Sequence, residues 1–140
     1  MLMAGLRRRH TLATAGAGIA EQWREFLAAA PIADRVGSSY YGIMCGSDGA
    51  TLEYMCGVEV PSFGSLSSDI GRMKIPPQRY AVFSHPDGAT LETTWRRILQ
   101  WLDGGAYESA HRPDFERYSS TPGDGGTIEV WVGVVERRAR

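Results

Sequence analysis

The sequence predicts an α+β domain of two βαββ repeats related by a pseudo-twofold axis, in which one antiparallel sheet carries two helices on one face and a ligand groove on the other. Three observations lead to this prediction: the 140-residue length fits one domain, two stretches have the apolar spacing of helices, and the segments around them recur. We expect residues 1–140 to form a single domain, with repeat one at about 5–59, a linker loop at 61–74 and repeat two at about 75–136.

Two stretches of the chain match each other at a nearly constant spacing. Residues 48–58 (DGATLEYMCGV) and 124–134 (DGGTIEVWVGV) are identical at six of eleven positions, at an offset of 76. Upstream, residues 22–27 (QWREFL) and 94–99 (TWRRIL) share three residues at an offset of 72. A shared order of helix, turn and strand indicates a duplication.

Each repeat begins with a predicted strand, Gly5–Thr11 or Arg79–Ser84, and continues with a predicted helix. Apolar residues at the i, i+4, i+7, i+8 spacing give each helix one face that can lie on a sheet. These residues are Ile19, Trp23, Phe26, Leu27 and Ala30 in the first helix and Leu91, Trp95, Ile98, Leu99 and Leu102 in the second. We expect Pro31 to end the first helix and Gly104-Gly105 to end the second.

A hairpin with an Asp-Gly pair at its turn follows each predicted helix. Asp48-Gly49 and Asp124-Gly125 are strong signals for two-residue turns of type I′. That turn fixes the register, and the register decides which side chains share a face. In this register the inward face, toward the helices, carries Tyr41, Ile43, Cys45, Leu52, Tyr54 and Cys56 in the first hairpin and Phe115, Val130, Val132 and Val134 in the second, with Arg117 as a misfit.

The outward face of the predicted hairpins carries the candidate site. Glu116 is expected across from Gly133 and Tyr118 across from Trp131, so a carboxylate would stand beside open space and an aromatic wall. Glycines within strands mark bends or the close approach of another group, and here that group would be a ligand. The competing interpretation is a solvent-exposed Glu116 beside glycines that only bend the sheet. The candidate ligand-binding residues are Glu116, Tyr118, Trp131, Tyr40, Met55, Gly57, Gly133 and Glu129.

The order of these motifs resembles the GyrI-like superfamily, the AraC-type effector-binding domains that also form the drug-sensing part of multidrug-responsive regulators. The resemblance spans about Gly5 to Glu136 and is carried by residues 75–83 (IPPQRYAVF), Trp95, residues 114–118 (DFERY) and residues 128–132 (IEVWV). It implies a ligand groove between two βαββ units, with Glu116 at the position of an acidic residue that meets cationic, aromatic compounds. The chain departs from the family pattern in having Gly133 where many relatives have proline, and we expect no helix-turn-helix segment.

The resemblance leaves three functional classes open. We favour a binding protein for lipophilic, cationic or aromatic small molecules. The alternative is a hydrolase that detoxifies strained electrophiles with Glu116 as its acid or base, and the third class is an inhibitor that acts by protein contact, as on DNA gyrase. In a hydrolase, desolvation beside Tyr118 and Trp131 would raise the pKa of Glu116 toward the range useful for proton transfer, whereas in a binding protein an ionised Glu116 would pair with a ligand cation. The sequence does not separate these two roles.

Charge, composition and motif spacing limit the classes of partner and cofactor that we expect. Residues 10–136 hold 9 basic and 16 acidic groups, a net charge of −7, so we expect no specific DNA binding. No apolar run approaches the roughly 20 residues of a membrane-spanning helix. The three histidines stand in dissimilar contexts, so we expect no metal, and a missing third glycine in residues 16–21 (GAGIAE) argues against a dinucleotide cofactor. Cys45 and Cys56 are expected as core residues of a cytoplasmic bacterial protein, and a partner protein is left unspecified.

Overall fold

The computed structural model of the protein describes residues 1–86, 90–111 and 113–138. Its described part is α+β, which confirms the predicted class. The elements are β1 (Leu2–Thr11), α1 (Ala15–Ala28), β2 (Tyr40–Ser47), β3 (Thr51–Val60), β4 (Gly71–Lys74), β5 (Tyr80–His85), α2 (Leu91–Leu102), β6 (Tyr107–Ser109), β7 (Asp114–Tyr118) and β8 (Ile128–Glu136). Within the described ranges, neither helix is long and apolar enough to cross a lipid bilayer.

The strands form one open antiparallel sheet in the order β4-β1-β3-β2-β7-β8-β5, with the short β6 paired to β8. Strands β1, β3 and β2 of the first half lie together, and β7, β8 and β5 of the second half continue the sheet. The two halves meet where β2 pairs with β7. Each half contains the predicted succession of strand, helix, strand and strand, and superposition of the halves about a pseudo-twofold axis stays a prediction.

Helix α1 is fixed to the first half of the sheet by a buried glutamine. The side-chain amide nitrogen of Gln22 donates to the main-chain oxygens of Leu6 at 2.8 Å and Tyr54 at 2.9 Å. The amide oxygen of Gln22 accepts from Nε2 of His10 at 2.6 Å. Because these bonds reach both β1 and β3, they hold the next residue of the helix, Trp23, over the sheet. The helix ends at Ala28, shortly before Pro31 as predicted.

Helix α2 lies on the second half of the sheet. Its predicted apolar face is present in part, since Ile98 is buried against Val130, Val132 and Val134 with Leu91, Trp95 and Leu102 beside them. The prediction for Leu99 is wrong, because this side chain is 62% exposed. The hydroxyl oxygen of Thr90 caps the helix by accepting from the main-chain nitrogen of Thr93 at 3.2 Å. After the last helical residue, Leu102, the chain reverses at Gly104, whose φ of 69° favours glycine, so this predicted end is also confirmed.

The first hairpin turn is longer than predicted. The carboxylate of Asp48 accepts hydrogen bonds from the main-chain nitrogens of Ala50 at 3.0 Å and Thr51 at 2.7 Å, and this closes a loop over residues 48–51. Ser47 therefore pairs with Leu52, and a bulge between Met44 and Gly46 shifts the register again. The predicted pairing of Ile43 with Tyr54 is wrong, because Ile43 pairs with Met55 and both side chains point away from the helices.

The second hairpin also departs from its predicted register. Its strands are joined by residues 119–127 instead of a two-residue turn at Asp124-Gly125. Glu116 consequently pairs with Val130, Tyr118 with Ile128 and Phe115 with Trp131. The difference from the predicted register is an odd number of residues, so every side chain of β7 lies on the face opposite to the predicted one.

The sheet therefore has a helix face and a far face with separate apolar clusters. On the helix face, Trp23 of α1 packs against Tyr54, Cys56 and Tyr118. On the far face, a second cluster contains Met3, Tyr41, Ile43, Met55, Ile75 and Phe115, with Tyr80 and Trp131 packed against it. Tyr41, Ile43 and Phe115, which were predicted to face the helices, belong to the far face.

The predicted linker loop at 61–74 is partly ordered into the sheet. Its last four residues form the edge strand β4, which pairs with β1. Phe63, Leu66 and Ile70 pack against a buried cluster of Ala4, Val58 and Val60. This segment covers the first edge of the sheet, whereas Glu116 lies near the centre.

Candidate functional site

The structure divides the predicted site residues between the two faces of the sheet. Glu116 and Tyr118 lie on the helix face with Tyr40, which pairs with Tyr118 across β2 and β7. The far face holds Trp131, Glu129, Gly133, Met55 and Gly57. The predicted grouping of all eight residues in one groove away from the helices is therefore wrong, and the register of the second hairpin is the reason.

Packing accounts for the residues on the far face. The Trp131 ring stacks on Phe115 with centroids 5.4 Å apart, and its indole nitrogen donates to Glu129 at 3.3 Å. Gly133 leaves room for the Gln78 side chain, because an added Cβ would stand 2.6 Å from its amide nitrogen. Gly57 similarly faces the main-chain oxygen of Ala4, 2.9 Å from an added Cβ. The close approach predicted from these glycines exists, and the approaching groups belong to the protein itself.

On the helix face, a hydrogen-bonded chain of aromatic residues ends at Glu116. The hydroxyls of Tyr54 and Tyr118 both donate to Oε1 of Glu116 at 3.0 Å. The indole nitrogen of Trp23 donates to the Tyr54 hydroxyl at 3.1 Å. Glu116 is 6% exposed, so a carboxyl group is buried between aromatic rings from α1, β3 and β7.

Gly42 provides the space for this arrangement. It lies on β2 directly across from Glu116. A Cβ at this position would collide with the hydroxyl of Tyr54 and would stand 2.9 Å from Oε1 of Glu116. Any larger residue would therefore separate the phenol from the carboxylate.

Burial sets the protonation of the cluster. Desolvation raises the pKa of Glu116, and hydrogen bonds from Tyr118, Tyr54 and Trp95 act against that rise. Desolvation also raises the pKa of Tyr54 and Tyr118, and the charge of Glu116 raises both further. Both tyrosines therefore keep their protons near neutral pH and serve as donors to the carboxyl group.

Tyr40 lies at the rim of the cluster and already faces a cation. The Arg35 guanidinium carbon sits 4.4 Å from the centroid of the Tyr40 ring, while the Trp23 ring meets Tyr40 edge-on at 6.5 Å. The main-chain oxygen of Ser39 accepts a hydrogen bond from the Arg35 guanidinium at 2.6 Å and holds it over the Tyr40 ring. Tyr40 therefore shows that this aromatic surface accommodates a cation.

Four residues of the cluster were not among the predicted site residues: Trp23, Gly42, Tyr54 and Trp95. Sequence reasoning assigned Trp23, Tyr54 and Trp95 to the apolar interior because they follow helical or strand spacing. The offset of Tyr54 from the Asp48 turn fixes only its pairing with β2, and its contact with Glu116 depends on the long-range pairing of β2 with β7. Gly42 carried no signal of its own.

Cavities flank the cluster on both sides. A cavity of about 540 Å³ borders Met44, Trp95 and Asp114 at one end of the β2–β7 pair. A smaller cavity of about 230 Å³ lies near the far end of α1, beside Glu25 and Asp69. Carboxylates at both cavities are already engaged, Glu25 by Arg8, Asp69 by the Ser67 hydroxyl and Asp114 by the main-chain nitrogen of Gly133 at 2.9 Å. The larger of these two cavities is the better candidate for a ligand because its volume lies in the range of small-molecule pockets.

The chemistry available on the helix face is that of one carboxyl group in an aromatic enclosure. Among the described residues, no group of His, Cys, Asp and Glu side chains is arranged to hold a metal ion. An ionised Glu116 would attract a cation, with the aromatic rings adding cation–π attraction. A protonated Glu116 could instead transfer its proton to a bound substrate.

Comparisons with known proteins agree with this fold. A family model described as "integron-associated effector binding protein" matches residues 1–134. An integron cassette protein from the mobile metagenome of Vibrio cholerae has a similar structure, with a TM-score of 0.72 and 23% identity over 96% of this chain and 90% of that one. A protein solved with bound tetraphenylphosphonium matches with a TM-score of 0.71 and 15% identity over 96% of this chain and 88% of that one. Among functionally curated proteins the sequence has no significant match.

Proposed function

The chain belongs to the family of integron-associated effector binding proteins, and from that premise we propose that it binds lipophilic aromatic cations at Glu116. The family match confirms the resemblance to stand-alone GyrI-like domains and supports small-molecule binding in general. The cationic and aromatic nature of the ligand is our own inference, and it draws support from the relative that was solved with tetraphenylphosphonium.

One observation carries the proposal: Glu116 is a buried carboxyl group with no countercharge among the described residues. Within residues 1–86, 90–111 and 113–138, no Arg, Lys or His side chain forms an ion pair with it. Ionising such a group is costly unless an opposite charge arrives. A ligand cation would supply that charge, and the rings of Trp23, Tyr54 and Tyr118 would surround its apolar part.

The test is a binding measurement with tetraphenylphosphonium on the wild type and the Glu116→Gln variant. Glutamine keeps the shape of the side chain and removes its charge, so we expect the variant to lose at least about 2 kcal/mol of binding free energy, or roughly 30-fold in Kd. Glu129→Gln is the matched control, since it removes the same charge from the far face and should leave Kd unchanged. Equal affinity of Glu116→Gln and the wild type would refute a role for this carboxyl group in binding.

Hydrolysis of strained electrophiles remains the second candidate. The raised pKa of Glu116 favours it, because a desolvated carboxyl group holds its proton more readily and can deliver it to a leaving group, although the two phenol donors on Oε1 act against that rise. A product assay with strained cyclopropane-containing electrophiles distinguishes the two functions. A hydrolase would release product with the wild type and none with Glu116→Gln, whereas a pure binder would release none with either protein.

The narrower expectations about partners stay predictions. These are multidrug binding, the absence of specific DNA binding, a bacterial cytoplasmic location and inhibition through protein contact.

A further inference from the structure

Four sulfur-containing side chains lie in one cluster on the far face of the sheet. Two of them, Met3 and Met55, are fully buried, and the other two are half-buried and pack against them. Each comes from a different strand: Met73 from β4, Met3 from β1, Met55 from β3 and Cys45 from β2. Because these strands are neighbours in the order β4-β1-β3-β2, the sulfur cluster extends across the whole first half of the sheet.

The two outer sulfur atoms of this cluster are in direct contact. Strands β4 and β2 are three strand spacings apart, which is at least about 14 Å in a flat sheet. The Cys45 thiol nevertheless donates to Sδ of Met73 at 3.8 Å, and its other acceptor is the main-chain oxygen of Ile43 at 3.6 Å. The first half of the sheet is therefore curled toward its far face, and only weak hydrogen bonds hold the thiol.

The spacing of these two sulfur atoms suits a shared metal ion. Thiolate and thioether sulfur are the ligands that soft metal ions prefer in proteins. With metal–sulfur bonds of about 2.3 Å, a separation of 3.8 Å gives an angle of about 110° between the two bonds, as in a three- or four-coordinate ion. Met3 pairs directly with Met73 across β1 and β4, which puts a third sulfur on the same face within reach.

The charges around the cluster favour a soft monovalent ion over a divalent one. The carboxylate of Glu53 on β3 is already paired, with Arg7 at 2.8 Å and Arg9 at 3.8 Å. In the described part of the chain, no three His, Cys, Asp or Glu side chains come together as ligands for a harder ion. A monovalent cation would cancel the charge of a Cys45 thiolate, whereas a divalent one would leave a net positive charge in half-buried apolar surroundings.

We propose that Cys45 and Met73 form a binding site for a soft monovalent metal ion of the Cu(I) class, with Met3 as its third ligand. Coordination replaces the proton on the Cys45 thiol by the metal ion, and that proton passes to solvent. The sequence-based expectation of no metal considered the spacing of the histidines, whereas strand pairing brings these sulfur atoms together. The site lies on the face opposite to Glu116 and is independent of the proposed function.

Silver nitrate in chloride-free buffer is the probe, because Ag(I) is a soft monovalent ion that is stable in air. Isothermal titration calorimetry measures its Kd for the wild type and four variants. We expect Cys45→Ser to weaken binding at least about 100-fold and Met73→Leu about tenfold, since each removes one sulfur ligand. Cys56→Ser and Met44→Leu are the matched controls, because Cys56 and Met44 belong to the helix face, and both should leave Kd unchanged.

Equal Ag(I) affinity of the wild type and Met73→Leu would overturn the proposal, because the site would then be a thiol alone. Binding of Zn(II) as tight as that of Ag(I) would overturn it as well.

A second measurement on the wild type covers the case in which circular dichroism shows a variant to be unfolded. Carbon-13 labelling of the methionine methyl groups lets NMR follow each thioether during the silver titration. The resonances of Met73 and Met3 should shift, whereas that of Met44 on the helix face should not. An unshifted Met73 resonance in the presence of bound Ag(I) would refute the site.

Discussion

Replacing Glu116 by glutamine is expected to stabilise the fold at neutral pH and to remove one part of its pH dependence. Burial raises the pKa of Glu116 in the folded state above the ordinary value of 4.5, which applies in the unfolded chain. Between those two values the folded state holds a proton that the unfolded state has released. The free energy of unfolding therefore falls as pH rises through that window, by about 1.4 kcal/mol per pH unit.

Glutamine does not titrate, so the variant lacks this decline. The difference in unfolding free energy, variant minus wild type, should be constant below the ordinary pKa, rise through the window and level off above the raised pKa of Glu116. Each 1 kcal/mol of that difference corresponds to about 4 °C in Tm for a chain of this size. This change of unfolding free energy with pH has the opposite sign to that of a surface carboxylate in an ion pair, because ionisation of such a carboxylate stabilises the fold.

Urea unfolding curves from pH 4 to pH 8 measure the difference directly. Glu129→Gln is the control, because Glu129 lies on the far face and is partly exposed beside Arg117. A difference for Glu116→Gln that stays flat, or that falls with rising pH, would refute a raised pKa and with it the picture of an unpaired buried carboxyl group.

Two further substitutions test the architecture that surrounds Glu116. Gly42→Ala should destabilise the protein by about 1–3 kcal/mol in urea unfolding, because its Cβ collides with the Tyr54 hydroxyl. Gly16→Ala is the control, since a Cβ there meets nothing within 4 Å, and it should be neutral or stabilising by up to about 1 kcal/mol. Gln22→Leu removes the three hydrogen bonds of the Gln22 side-chain amide to β1 and β3. It should lower the free energy of unfolding by on the order of 2–4 kcal/mol in the same assay. The exposed Gln100→Leu is its control, and a similar small effect of both glutamine variants would contradict the assigned role of Gln22.

The two helices and the six longer strands could be predicted from the sequence because local patterns determine them, whereas the short strands β4 and β6 were not predicted. Trp23 and Ile98 lie on helix faces that pack on the sheet, as their spacing indicated, and α2 stops at the glycine that was expected to end it. Neighbours along one strand were also predictable, since alternation puts Glu116 and Tyr118 on the same face in any register.

Partners across strands were not predictable, because they depend on turn length. The Asp-Gly pairs indicated two-residue turns, whereas the Asp48 carboxylate closes a longer one and residues 119–127 form an extended connection. An odd shift in register exchanges the two faces of a strand. Glu116 therefore contacts Tyr54 on the helix face instead of lying beside Trp131 on the far face. The pairing of β2 with β7, which puts Gly42 opposite Glu116, is a long-range contact that no local pattern encodes.

The two halves of the sheet meet where β2 pairs with β7, and this pairing has a consequence for cutting the chain between the halves. Tyr54 comes from the first half and Glu116 with Tyr118 from the second, and β2 and β7 bring them together. Cutting the chain in residues 61–70 would leave one fragment with a phenol that has lost its acceptor and another with a carboxyl group that has lost one of its two phenol donors. If Glu116 binds an aromatic cation as we propose, neither fragment holds the complete site, and binding requires the two fragments to reassociate. Ligand binding would then report the reassembly of two polypeptides across the β2–β7 pairing.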